Sequence, residues 1–188
     1  MTFLDRDSLD TLGLSSVGTN VQIDEAARLI GTERMTIGSN VRIDAFAVLS
    51  AGADGLVIGD CVHVAVFCFL AGAARIELGD FSGLSRGVSI YSSNDDYSGH
   101  SLTGPMVPDE LRSVDTRPVR IGRHVIVGAG SVVLPGVTIG DGAAVGALSL
   151  VRSDLPAGTI AAGQPARIVG QRDDRIYELE QQVRAPEL

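Results

Sequence analysis

Proton transfer near neutral pH is the first chemistry to look for, and the chain offers three histidines for it: His63, His100 and His124. His63 stands among Val62, Val64, Phe67 and Phe69, where an imidazole is a satisfied core or interface group unless a neighbouring element opens a site beside it. His100 lies in a segment of mixed aromatic, carboxylate and proline residues, Tyr91 to Pro108. The same segment carries adjacent carboxylates, Asp95 and Asp96, followed by Tyr97. A carboxylate at its ordinary pKa is a weak base toward a neutral hydroxyl, and gains strength through burial or a neighbour's charge. Two together also suit an ammonium group.

What is missing narrows the chemistry further. All 15 basic residues are arginine, so Schiff-base lysine chemistry and a P-loop lysine are excluded. Against them stand 23 acidic residues, and the net charge of −8 opposes a nucleic-acid surface, which needs a basic patch to displace counterions. Cys61 and Cys68 lie in apolar stretches without CxxC spacing and read as buried thiols in a reducing compartment. Residues Thr2 to Asp7 lack the basic-then-apolar order of a signal peptide. Glycine and proline interrupt the longest apolar run, Val125 to Gly140. A soluble cytoplasmic protein, with no membrane partner, is the expectation.

The elements that must position these groups follow from a repeat. An aliphatic residue precedes glycine at Val17, Ile37, Ile58, Leu78, Ile121 and Ile139, in steps of 20, 21, 20, 43 and 18 residues. A second aliphatic recurs six residues on, at Ile23, Ile43, Val64, Leu84, Val127 and Val145. A third follows at Leu29, Leu49, Leu70, Ile90, Val133 and Val151. Three hexads per coil make three short strands that stack on their equivalents above and below, so the spacing predicts an all-β solenoid, a parallel prism cored by Val, Ile and Leu. The 43-residue step exceeds one 18-residue coil by 25, which places an excursion at about 96–120. Loops this long in a compact repeat form sites or are disordered, and its composition is unlike a Gly/Ser linker. Asp5 to Leu12 and Arg172 to Val183 predict short terminal helices that cover the ends of the stack. The divisions are thus a capping segment at 1–16, the prism at 17–171 and a C-terminal helix at 172–188.

Two segments carry a resemblance: Ile121-Gly-Arg-His-Val-Ile-Val-Gly-Ala-Gly-Ser-Val-Val-Leu-Pro-Gly-Val-Thr-Ile-Gly-Asp-Gly142 and Ala161-Ala-Gly-Gln-Pro-Ala-Arg-Ile168. From Val17 to about Gln171 the chain resembles the left-handed β-helix hexapeptide-repeat acyltransferases, in their sugar acetyltransferase branch with the galactoside and maltose enzymes. The resemblance implies left-handed winding, against the usual preference for right-handed crossovers, and a homotrimer in which the long loop walls a neighbour's site. It implies direct acyl transfer from acetyl-CoA to a hydroxyl or amine, with a general base and no metal.

The family's usual base is a histidine after the strand leading into the loop, and that position falls on Asp95, a departure from the pattern. Asp95 and His63 are therefore the catalytic candidates, and Asp96, Tyr97 and His100 the acceptor-binding ones, Tyr97 by stacking on a sugar ring. The carboxylate pair favours an amine acceptor: an amino group of a nucleotide-linked sugar, in surface polysaccharide biosynthesis. O-acetylation of a sugar hydroxyl is the alternative. Resemblance to the coenzyme A groove marks Gly128, Ala129, Gly146, Ala147, Arg152 and Arg167, the arginines for phosphate. At His124 the family commonly tolerates Asn or His, so that residue is structural or solvent-facing. A zinc hydratase of the γ-carbonic-anhydrase type shares the prism, but needs two histidines five residues apart, which His63, His100 and His124 do not supply. A non-catalytic scaffold on the same repeat is the other minor reading.

Overall fold

The computed structural model describes residues 2–184. Strand after strand returns to the same face, and two six-stranded parallel sheets and one of eight strands enclose the core. The register pairs the ladder residues with one another: Ile37 with Ile58, Ile58 with Leu78, Leu78 with Ile121 on the first face. On the second face Ile43 meets Val64, Val64 meets Leu84 and Leu84 meets Val127, and on the third Leu49 meets Leu70 and Ile90 meets Val133. Each of these side chains is buried, so every coil adds three apolar groups to one continuous core, each contributing about 1.5–3 kcal/mol. The protein is a left-handed parallel β-helix of about seven turns.

Tight corners require backbone that turns sharply, and two columns of left-handed residues supply it. One, between the first and second faces, runs through Asn20, Asn40, Cys61, Phe81 and His124, with φ between 52° and 58°. The other, between the second and third faces, holds Phe46, Phe67, Gly87, Gly130 and Leu148. Non-glycine residues there are uncommon, least so for Asn and His, whose side chains tolerate the region. Cys61, expected buried, is only half-buried because it occupies such a corner, whereas Cys68 is buried and its thiol is pushed up to about 11 by that burial. The early coils exceed 18 residues at the third corner, where Thr32–Arg34 adds a single 3-10 turn.

The excursion starts earlier than its composition suggests. After the strand Ser89–Tyr91 the chain leaves the prism at Ser92 and returns at Val119, because Ser93–Asp95 pairs antiparallel with Val114–Thr116. The long loop is thus a β-ribbon whose tip spans 96–113. Ser92 is buried at its root and donates to the Ala74 carbonyl at 2.9 Å while accepting from the Ala73 amide at 2.7 Å.

Helix α1, Arg6–Thr11, is capped by Asp5, whose carboxylate accepts from the Ser8 amide at 2.9 Å. Helix α2, Arg175–Arg184, begins three residues beyond the expected start because a hairpin strand, Ala166–Gln171, and a short link precede it. Residues 185–188 of the expected terminal segment lie outside the described residues. No described helix is long and apolar enough to cross a membrane.

A buried charge cluster pins α2 to the prism. His124 is 7% exposed, stacks on Phe81 at 5.0 Å, meets the Tyr177 ring edge-on, and shares a 2.6 Å hydrogen bond with Glu180. Arg123 and Arg184 donate to the same carboxylate, and Arg184 also reaches Asp80 at 2.8 Å. His124 is therefore a structural residue, the first of the two roles expected for it. Its hydrogen bond, with those of the two arginines, outweighs burial and holds the Glu180 carboxyl down to about 2. A lowered carboxyl stabilises the fold above its unfolded pKa of about 4.5 and loses that contribution as pH falls. Between about pH 4.5 and pH 2, hydrogen exchange in α2 is expected to rise ahead of exchange in the coils, and Glu180→Gln should abolish the pH dependence of that difference.

Candidate active site

On the second face, outward residues alternate with the ladder, and the strand His63–Val64 turns its imidazole outward while Val64 enters the core. The register places Arg42 on one side of His63 and Gly83 on the other, with Ile126 beyond Gly83. A Cβ built at Gly83 would touch nothing within 4 Å, so coil packing does not demand glycine there. The missing side chain instead leaves a cleft of about 320 Å³, lined by His63, Ala65, Gly83, Ser85, Arg86 and Ile126. His63 is half-exposed, and its Nε2 lies 2.8 Å from Oδ2 of Asp44.

Arg86 joins this cleft to a second one of about 490 Å³, formed at the left-handed corner by Phe67, Gly87, Ala129, Gly130, Ala147 and Leu148. Together they run along the prism axis from the coil of His63 toward the C-terminal coils. The Arg86 guanidinium sits 5.7 Å over the Phe67 ring, which stacks on Phe46 at 5.3 Å. The larger cleft is mostly apolar, with exposed backbone at small residues, and suits an extended amide-bearing chain; the smaller one holds an imidazole, a hydroxyl and a cation where such a chain would end.

Known proteins share this fold and sequence. The bacterial transferase hexapeptide model, of six repeats, matches residues 118–153. The dTDP-4-amino-4,6-dideoxy-D-glucose acyltransferase of Escherichia coli is 44% identical over 180 residues, 96% of this chain and 94% of that one. A serine-to-cysteine variant of AntD, an N-acyltransferase from Bacillus cereus, solved with dTDP-4-amino-4,6-dideoxyglucose and coenzyme A, superposes with a TM-score of 0.93 at 38% identity over 96% of both chains. The galactoside O-acetyltransferase of Escherichia coli K12 is more distant, 29% identical over 82% of this chain and 72% of its own.

The chain belongs to the hexapeptide-repeat sugar acyltransferases.

The enzyme is an acyl-CoA-dependent acyltransferase, and its expected donor groove divides into two kinds of residue. Ala129 and Ala147 line the larger cleft. Gly128 and Gly146 stand behind it in the wall, where a Cβ at Gly128 would fall 2.4 Å from the Ala147 amide and one at Gly146 3.0 Å from the Ala162 Cβ. Those glycines let one coil approach the next. Arg152 and Arg167 are exposed beyond the cleft, Arg167 on the closing hairpin strand, and neither lines it in the single chain.

The ribbon carries the other catalytic candidate, Asp95, and the acceptor-binding candidates Asp96, Tyr97 and His100. Asp95 ends the strand Ser93–Asp95, opposite Val114, and is exposed. Asp96 spends its carboxylate on the loop, accepting from the Ser98 amide at 2.7 Å and the Ser101 amide at 2.9 Å; the Ser98 hydroxyl and amide hold its carboxyl below the usual range. Tyr97 is 87% exposed, and His100 Nδ1 pairs with the Ser98 hydroxyl at 2.6 Å. None of these four lines either cleft of its own chain. Among the described residues no group of three His, Cys, Asp or Glu could hold a metal ion.

Asp44, Ser85, Arg86, Phe67 and Leu148 escaped the reading of the sequence. One signal was available: the position after each second-face ladder residue reads Asp24, Asp44, Ala65, Ser85, Gly128, Gly146, and changes from acid to small residue near the cleft. Filling the larger cleft should test its use. Ala147→Phe is expected to raise the KM for acyl-CoA about tenfold or more with a smaller change in kcat, measured by steady-state kinetics with intact thermal unfolding as the control.

Proposed function

We propose that this enzyme acetylates the amino group of a nucleotide-linked 4-amino-4,6-dideoxy sugar, with acetyl-CoA as donor and a homotrimer as the working unit in the cytoplasm. The carrying observation is near-complete structural likeness to AntD, which was solved with such a sugar and coenzyme A. AntD was also solved with substitutions at a serine and at an aspartate ten residues apart, the spacing of Ser85 and Asp95 here. Ser85 lines the cleft of His63, which supports placing Asp95 in the same site by way of a neighbouring copy's ribbon.

In this reading the pantetheine arm lies over Ala129 and Ala147 and carries the thioester toward Arg86. The Asp95 carboxylate holds the sugar's ammonium group, which must give one proton to solvent before its nitrogen can attack. The nitrogen lone pair then adds to the thioester carbonyl, the C–N bond forms, and one of the two protons left on that nitrogen passes to Nδ1 of His63. The C–S bond breaks, and coenzyme A leaves as a thiolate that takes up that proton as a thiol. Positioning contributes most of the rate, and the base a further 10² or so. The amine is preferred over a hydroxyl because the amino-sugar relatives match at 44% and 38% identity, against 29% for the galactoside enzyme.

Thiol release from acetyl-CoA should be rapid with dTDP-4-amino-4,6-dideoxyglucose and near background with galactosides or maltose; the reverse order would overturn the acceptor assignment. His63→Ala and Asp95→Asn are each expected to lower kcat by about 10² while leaving the oligomer intact. Mixing the two inactive variants after unfolding and reassembly should restore activity that neither has alone, because some sites then combine an intact His63 with an intact ribbon from the next subunit. Failure to complement would place both groups in one chain's site.

A further inference from the structure

Resting on the proposed role of His63, we infer that Asp44 is a positioning residue that locks the His63 imidazole with its proton on Nε2 and presents Nδ1 to the acceptor. The repeat itself supplies the comparison. Asp24 and Asp44 occupy equivalent corners on successive coils, since Asp24 follows Ile23, Asp44 follows Ile43, and those two ladder residues pair. Asp24 does what a structural aspartate does at such a corner: its carboxylate accepts from the amide two residues on, Ala26, at 2.9 Å. Asp44 leaves its own turn uncapped by its side chain. Its two oxygens face outward instead, Oδ1 to the Arg42 guanidinium at 2.7 Å and Oδ2 to His63 Nε2 at 2.8 Å.

Both carboxylates are buried, at 5% exposure. Burial alone would raise the Asp44 carboxyl, but the hydrogen bonds and charges of Arg42 and His63 prevail and lower it, so it remains an anion that only accepts. An anion at Nε2 requires the proton on that nitrogen. Nδ1, the other nitrogen, then carries the lone pair, and among the described residues it makes no hydrogen bond of its own. Asp44 lies on the coil before His63, whereas the cleft with Gly83, Ser85 and Ile126 lies on the coils after it, so the lock and the open side are on opposite flanks of the ring. Orientation and tautomer are both set from behind, which is the task a carboxylate performs for an imidazole base.

The measurement that tests this directly needs no substitution. Long-range ¹H–¹⁵N correlation of imidazole nitrogens in the wild-type protein, with His63 assigned by comparison with His63→Ala, should show neutral His63 as the Nε2–H form. A predominantly Nδ1–H ring would overturn the inference. Asp44→Asn is then expected to mix the two tautomers and lower kcat about 10- to 100-fold, with the KM for acetyl-CoA unchanged. Arg42→Gln, which removes the other partner of the same carboxylate, should leave the tautomer as it is. An Asp44→Asn enzyme with wild-type kcat, or one that loses only thermal stability with the tautomer retained, assigns Asp44 to folding and overturns the proposal. If His63→Ala turns over normally while the Nε2–H form is found, the role of His63 as base fails and the lock alone survives.

Discussion

Every feature of this molecule depends on coil-to-coil register. Successive strands of one face lie about 4.8 Å apart, hydrogen-bonded in parallel, so a side chain touches its equivalent one coil away. That spacing forces like onto like: aliphatics inside, left-handed residues at the corners, and glycine where the backbones of two coils meet closely. Gly128 illustrates how little slack remains, since one extra carbon would overlap the Ala147 amide. A fold under this constraint has few places to put chemistry. It must use outward positions, where a departure from the repeat costs no core contact.

The clefts follow from such departures. Gly83 is free of the packing requirement that governs Gly128, and its missing side chain creates the space beside His63. Phe46 and Phe67 accept a left-handed backbone and substantial exposure, which places an aromatic surface and the Arg86 cation next to the larger cleft. The 92–118 ribbon leaves between two strands that still pair with their neighbours in register: Ser89–Tyr91 with Phe69–Ala71, and Val119–Ile121 with Ile76–Leu78. The insertion therefore adds an element to the surface without displacing a rung.

How much of this was legible in the sequence depends on the range of the interaction involved. The ladder could be read because Ile37, Ile58, Leu78 and Ile121 each face a residue of the same kind at a fixed step, and the structure pairs those residues in that register. Ala129 and Ala147 were marked through the family resemblance of their segments and not through the period, and the structure places both on the wall of the larger cleft. Glu180 could not be read, since it meets His124 across 56 residues and belongs to a helix outside the period. Nor could the spent carboxylate of Asp96, which depends on how Ser98 and Ser101 present their amides within the turn. Ser85 and Asp44 look like ordinary corner residues, and only their neighbours on adjacent coils distinguish them.

That His63 lines a cleft of the prism while Asp95 sits on the ribbon follows from the architecture. A prism made rigid by its ladder holds an imidazole in a fixed direction, backed by a buried carboxylate, but its outward faces are too shallow to surround a substrate. A two-stranded ribbon has the opposite properties: it reaches far, supplies polar groups at its tip, and satisfies its backbone by its own antiparallel pairing. An isolated ribbon of this size is marginal alone, so it needs a surface to lie against. Its tip carries exposed Leu102, Met106 and Leu111, which its own chain leaves uncovered. Packing that tip against another copy would bury this apolar surface and bring Asp95 to an imidazole already oriented by the coils beneath it. In the proposed reading, donor binding and proton transfer reside on the fixed geometry of the repeat, while recognition of the acceptor resides on an insertion that leaves every rung in place.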